Sequence, residues 1–189
     1  MLIRAIRNVA LCALWALGPP AARAEGLADE ARFQPWTDPA PPFRLRTLSG
    51  AEVRLDDLRG RVVLVHFFAT WCAPCRTELP ALQQFAAAAG SQNVALVVIS
   101  VAEPDGRVRR FAESTNLALD VALDSDRAVT RAWNIVALPT TVVLSPGLSP
   151  RFGAATDLEW GSVSAGRLID RARDGGPEPL PIVKQPPGG

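Results

Sequence analysis

The chain has 189 residues, of which 48% are hydrophobic and 21% charged, and its formal net charge is +1. That length suits one domain with short extensions, with apolar residues enough for an ordinary core. The near-neutral balance excludes the strongly basic surface that binding to nucleic acid would call for.

Residues 1–24 read as an export signal. Arg4 and Arg7 make a positive start, an apolar run follows from Asn8 to Gly18, and Ala22-Arg23-Ala24 is a small-x-small cleavage pattern. The apolar run falls short of the roughly 20 residues of a membrane span, so cleavage is favoured over a short uncleaved anchor. Cleavage would take three Arg and no acid from 20 basic and 19 acidic residues, leaving −2. It would also remove Cys12. Leu11 stands before Cys12 where a lipid-modified cysteine would follow a small residue, which argues against a lipoprotein.

Residues 25–40 are polar and rich in proline and read as a linker, with a domain expected over 41–174. Phe43–Leu48 and Glu52–Leu55 alternate on either side of Ser49-Gly50 and predict a β-hairpin. Val62–Phe68 is a continuous apolar run, the mark of a strand covered on both faces. Cys72–Ala89 is predicted helical, with Leu79, Leu82, Phe85 and Ala89 on one face and a kink at Pro80. Val94–Val101 predicts a second buried strand and Asp105–Asn116 a helix. Val121–Leu123 is a short strand, Asp126–Trp133 a short helix and Thr140–Leu144 another strand. A turn over 146–150 leads into Arg151-Phe152, and Ser162–Arg173 closes the domain as a helix. Residues 175–189 are a Pro/Gly-rich tail expected to be disordered. Alternating strands and helices give an α/β fold with a largely parallel sheet, its last two strands antiparallel.

Cys72 and Cys75 carry the chemistry. One local pair is no framework for a stapled secreted fold, so it is a redox centre, an inert disulfide or half of a metal site. A tetrahedral zinc site needs four ligands, and with Cys12 gone only Cys72, Cys75 and His66 remain of the Cys and His residues; no metal is expected. The pair follows a buried strand and opens a helix. Unpaired N–H groups and the positive end of the helix dipole would stabilise a thiolate at Cys72. Pro74 is tolerated in a first helical turn. Cys72 would attack a disulfide, and Cys75, one turn behind, would resolve the mixed disulfide.

The stretch from Val63 to Pro80, with Trp71-Cys72-Ala73-Pro74-Cys75 at its centre, resembles the thioredoxin superfamily and within it the TlpA/ResA/CcmG-like extracytoplasmic group. Leu55–Gly60 and Val136–Thr141 extend the likeness to about residues 41–174. The resemblance implies a thioredoxin-like fold, a central mixed sheet flanked by helices with an added N-terminal β-hairpin. It implies a cis peptide bond before Pro139 and a backbone contact from Leu138 to the target peptide. Glu78 matches an acid that the group uses near the pair; here it is either a proton acceptor for Cys75 or a solvated surface residue. His66 departs from thioredoxin, where a buried acid matches it. It is either a base for Cys75 or a core histidine bonded to a neighbour. Trp71 is expected to cover the site. Glu103 and Asp105, after the second core strand, either border the site or are ordinary loop acids.

The activity implied is reduction of disulfides in client proteins outside the cytoplasm, such as apocytochrome c or copper-site precursors. A membrane thiol-transfer protein would supply electrons. No cofactor beyond the Cys72–Cys75 disulfide, no nucleic acid and a monomer are expected. Two other functions fit the same fold. A peroxiredoxin-like peroxidase needs Pro-x-x-x-Thr-x-x-Cys, but Thr70 stands two before Cys72 instead of three. A copper-binding chaperone needs a downstream His or Met, and none follows Cys75.

Overall fold

A computed structural model describes residues 32–173. The signal segment, Cys12, the first part of the linker and the Pro/Gly tail lie outside the described residues.

Among the described residues there are eight strands and four α-helices. The strands are β1 (Gln34–Pro35), β2 (Arg44–Arg46), β3 (Glu52–Arg54), β4 (Val62–Phe68), β5 (Val94–Val101), β6 (Val121–Asp124), β7 (Thr140–Leu144) and β8 (Pro150–Ala154). The helices are α1 (Ala73–Ala89), α2 (Asp105–Ser114), α3 (Ala128–Ala132) and α4 (Ala165–Arg173). The main sheet runs β1-β8-β7-β4-β5-β6, and β2 pairs with β3 in the predicted hairpin. Strands β4, β5 and β6 are parallel neighbours, whereas β7 is antiparallel to β4 and β8 to β7. The sheet is therefore mixed.

Strand β4 lies at the centre, and every one of its residues is buried. Side chains alternate faces along a strand. Val62, Leu64 and Phe68 join Leu79, Leu82 and Phe85 of α1 and Leu168, Ile169 and Ala172 of α4 in one core. Val63, Val65 and Phe67 join Val129, Trp133, Leu55 and Phe43 in the other. His66 shares the parity of Leu64 and Phe68, so its ring points to the α1 side of the sheet. Helix α1 continues through Pro80, which leaves the Arg76 carbonyl without its intrahelical donor but does not end the helix.

The linker expectation is corrected for residues 32–40. Gln34–Pro35 pairs with β8 as an edge strand, a position where proline costs no ladder bond on its solvent side. Phe33 is buried and meets Phe152 and Trp160 edge-on. Two aromatic residues, Phe33 and Trp36, override the polar, proline-rich composition around them. Trp36 lies directly over Gly153, where an added Cβ would stand 2.5 Å from the indole and 2.8 Å from the Thr141 carbonyl oxygen. A backbone atom cannot yield as a side chain can. Gly153→Ala should therefore lower stability by about 1–3 kcal/mol in urea unfolding; an unchanged midpoint would show that β1 does not pack there.

Among the described residues no helix is long and apolar enough to cross a membrane.

Candidate active site at the mouth of helix α1

The central strand β4 ends at Phe68, and the chain turns through Ala69, Thr70 and Trp71 into α1. Cys72 is the N-cap of that helix, in extended conformation, with Pro74 in the first turn. Its N–H donates to the Ala69 carbonyl at 3.1 Å, and its Sγ accepts the Cys75 N–H at 3.3 Å. A helix N-terminus offers unpaired donors and a positive dipole end, and the Cys72 sulfur occupies it. Cys72 and Cys75 are joined as a disulfide, their Cα atoms 5.3 Å apart. Cys75 is fully buried and Cys72 is 5% exposed, so Cys72 is the sulfur nearer to an incoming partner.

Trp71 beside it is 64% exposed and Val136 is 88% exposed. Between them lies a groove of about 280 Å³ lined by Trp71, Val101, Arg127, Ile135, Val136 and Leu138. The Leu138–Pro139 bond is cis.

The turn carrying Trp71 and Cys72 is held by a buried acid. Glu103 is 3% exposed; its carboxylate accepts the Thr70 N–H at 2.7 Å, the Thr70 hydroxyl, and the Ser100 hydroxyl at 3.2 Å. Of the two acids noted after β5, Glu103 thus braces the site. Asp105 instead bonds Arg46 and Ser125 at the surface.

Glu78 is not a solvated surface residue. It is buried one turn past Cys75, and its Oε2 accepts the Leu158 N–H at 2.9 Å and the Trp160 indole N–H at 3.1 Å. His66 is fully buried in β4, with Nδ1 3.0 Å from the Thr141 hydroxyl. Its Nε2 lies 3.5 Å from Glu78 Oε1. Burial holds His66 far down, at about 3, so the ring is neutral. Burial raises Glu78 to about 7, with Asp157 adding to the rise while the Leu158 and Trp160 hydrogen bonds oppose it. The carboxyl therefore sits between its two forms at neutral pH, the range in which an acid can both give and take a proton. Leu158, Trp160 and Thr141 escaped the sequence reading. The first two lie 80 and 82 residues from Glu78 in an irregular stretch with no periodicity.

The two shifts have opposite consequences for stability. Glu78 has a raised pKa, so the folded state keeps a proton that the unfolded chain loses. That stabilisation is full below about 4.5 and is lost as pH rises through about 7. His66 has a depressed pKa, so its contribution is full above about 6.5 and is lost as pH falls toward 3. Relative to wild type, Glu78→Gln should lose about 3 kcal/mol as pH drops from 7 to 4.5. His66→Asn should instead gain relative to wild type as pH drops below 6.5. Urea unfolding across that range reads both; parallel profiles would contradict the assignment.

Comparison with known proteins agrees with this geometry. The model of the AhpC/TSA family matches residues 36–148. The thiol-disulfide oxidoreductase ResA of Geobacillus kaustophilus is 37% identical over 105 residues, which are 56% of this chain and 60% of the relative. The chain thus aligns with about three-fifths of that relative's length. A thiol:disulfide interchange protein of the thioredoxin family from Chlorobium tepidum superposes with a TM-score of 0.62 at 26% identity, over 74% of this chain and 97% of that one. A secreted disulfide oxidoreductase of Mycobacterium tuberculosis, homologous to E. coli DsbE, superposes with a TM-score of 0.54 at 27% identity, over 69% and 93%. The fold is thioredoxin-like, and the chain belongs to the AhpC/TSA family.

Proposed function

We propose that this chain is a thiol–disulfide oxidoreductase that reduces disulfides of client proteins outside the cytoplasm. One observation carries the reading: a disulfide whose outer sulfur caps a helix N-terminus while the inner sulfur is buried in the first turn. An inert structural staple gains nothing from that position, whereas a nucleophilic thiolate does. The names of the relatives support the same chemistry.

The reaction balances as dithiol–disulfide exchange. The reduced Cys72 thiolate attacks one sulfur of the client disulfide, and the other client sulfur leaves as a thiolate that takes a proton from water. Cys75 then gives up its proton to Glu78 and attacks Cys72 Sγ. That step re-forms the Cys72–Cys75 disulfide and frees the second client thiolate. Glu78 suits this role because burial places its titration near neutrality. Leu138, beside the cis bond, offers its backbone to the client chain, and Trp71 covers the groove. The pair itself is the redox element and needs no further cofactor. A membrane thiol-transfer protein would restore the dithiol. The export signal expected over residues 1–24, and the secreted state of the mycobacterial relative, support the extracytoplasmic location. Apocytochrome c and copper-site precursors are the client classes proposed.

The test is capture in the native host. With Cys75→Ser, the mixed disulfide on Cys72 cannot be resolved, so clients accumulate on it. A trapped cytochrome or copper-enzyme precursor selects the pathway. Absence of any trapped thiol protein would remove the reductase reading. The reduced protein should leave peroxide unconsumed, which separates it from a peroxidase.

A further inference from the structure

Two buried polar atoms near the redox pair have no hydrogen-bond partner, and they face each other. His66 Nε2 and Glu78 Oε1 each lack a bonded neighbour, and they lie 3.5 Å apart. A shift of about half an ångström would bring them to ordinary hydrogen-bond length. Leaving both unpaired in the core would cost each its full desolvation, so one proton between them is the arrangement that satisfies both. The other atoms of the pair are already engaged. Glu78 Oε2 holds the Leu158 and Trp160 N–H groups, and His66 Nδ1 faces the Thr141 hydroxyl.

A neutral imidazole has one donor nitrogen and one acceptor nitrogen, while a hydroxyl can give or take a hydrogen bond by rotating. This row therefore has two fully bonded states. In one, the Glu78 carboxylic acid donates from Oε1 to Nε2, and the ring donates from Nδ1 to Thr141. In the other, the Glu78 carboxylate accepts from Nε2–H, and Thr141 donates to Nδ1. The second state holds one proton fewer than the first, and the ring is neutral in both.

We propose that His66 is a positioning residue whose tautomer switches with the protonation of Glu78, so that Thr141, His66 and Glu78 form a reversible relay beside Cys75. This rests on the reading of Glu78 as the acceptor of the Cys75 proton. When the Cys75 thiol gives its proton to the Glu78 carboxylate, thiol becomes thiolate and carboxylate becomes acid. The ring then changes tautomer by exchange with water, giving up the Nε2 proton and taking one at Nδ1, so that its proton count is unchanged. The reverse change returns the proton to Cys75. The relay gives Glu78 a hydrogen-bond partner before and after each transfer, so neither form is left unsatisfied in the core.

The surroundings leave few other charges to drive this. Asp157, between β8 and α4, is the charged group that acts on Glu78, and it favours the acid form. Strand β5 places Val98 beside His66, and β7 places Thr141 there. The ring of Phe68 stacks at 6.5 Å. Helix α4 buries Leu168, Ile169 and Ala172 against this core.

His66 is the sole histidine of the chain, so its two ring nitrogens give the only imidazole signals in the nitrogen-15 spectrum of the labelled protein. In the oxidised wild-type protein the two nitrogens should exchange donor and acceptor shifts with one midpoint near the value of about 7 set for Glu78. In Glu78→Gln the exchange should vanish. Shifts that stay constant with pH, that move together to those of an imidazolium, or that still swap in Glu78→Gln overturn the proposal. A second readout is the pH profile of client release from the mixed disulfide. His66→Leu takes a donor from the carboxylate form, whose hydrogen bonds are the stronger, and should raise the midpoint by about one pH unit. His66→Gln, which can donate or accept, should restore it. A profile unmoved in His66→Leu also overturns the relay. Insulin reduction by the wild-type protein separates the two layers. A tautomer switch without insulin reduction removes the oxidoreductase reading alone, and insulin reduction without the switch removes the relay alone.

Discussion

Replacing Cys72 with Ser should abolish reduction of insulin disulfides, a loss limited only by the background of the assay. The expectation follows from the positions of the two sulfurs. Cys72 caps α1, where the first-turn N–H groups lie, and its Sγ already accepts the Cys75 N–H at 3.3 Å. Cys75 is fully buried and cannot reach a client without unfolding the first turn. A serine hydroxyl at position 72 is neither ionised nor nucleophilic toward sulfur at neutral pH. Cys75→Ser differs in kind: attack persists, resolution fails, and turnover stops with the client attached. Unchanged insulin reduction in Cys72→Ser would remove Cys72 from the attacking role. Rapid turnover in Cys75→Ser would mean that something other than Cys75 resolves the intermediate.

Trp160→Ala should cost about 3–5 kcal/mol of stability, the range for truncating a large buried aromatic side chain. Trp160 is 1% exposed and packs on Phe85 of α1, with ring centroids 5.0 Å apart, and on Phe33 at 6.4 Å. Its indole N–H also holds Glu78 Oε2. The substitution thus opens a cavity between α1 and the N-terminal strand and leaves a buried carboxyl short of a donor. Trp160→Phe separates the two contributions. It keeps most of the packing and loses the hydrogen bond, so it should cost less and should raise the Glu78 midpoint, because the lost N–H favoured the ionised form. Urea unfolding and the pH profile of the resolution step read the two effects. A loss under about 1 kcal/mol in Trp160→Ala would show that the site closes over the gap.

How much of this was legible in the amino-acid order depends on how local each signal is. Strands β4, β5 and β7 keep the bounds expected for them, at Val62–Phe68, Val94–Val101 and Thr140–Leu144, each mostly apolar. A strand buried on both faces carries few polar positions to blur its limits. The redox pair was legible for the same reason, since Cys72 and Cys75 lie within one turn. Strand β1 was hidden by Pro35, Pro39 and their polar neighbours, because only contact with β8 gives Phe33 and Trp36 something to cover. Glu78 could be placed near Cys75 by counting along a helix. Its burial could not, since the groups that enclose it come from the Leu158–Trp160 segment. Likewise Glu103 read equally as an acid bordering the site or an ordinary loop acid, and its bonds to Thr70 and Ser100, which decide between the two, span two strand ends that only the sheet brings together.

The most direct test of the redox reading is the rate of alkylation of the fully reduced protein as a function of pH, with mass spectrometry to show which cysteine reacts. Cys72 should be alkylated first and fast at neutrality, with a midpoint well below the ordinary thiol value of about 8.5, while Cys75 stays protected. A Cys72 that reacts only above that value, or a Cys75 that reacts before it, would contradict the account.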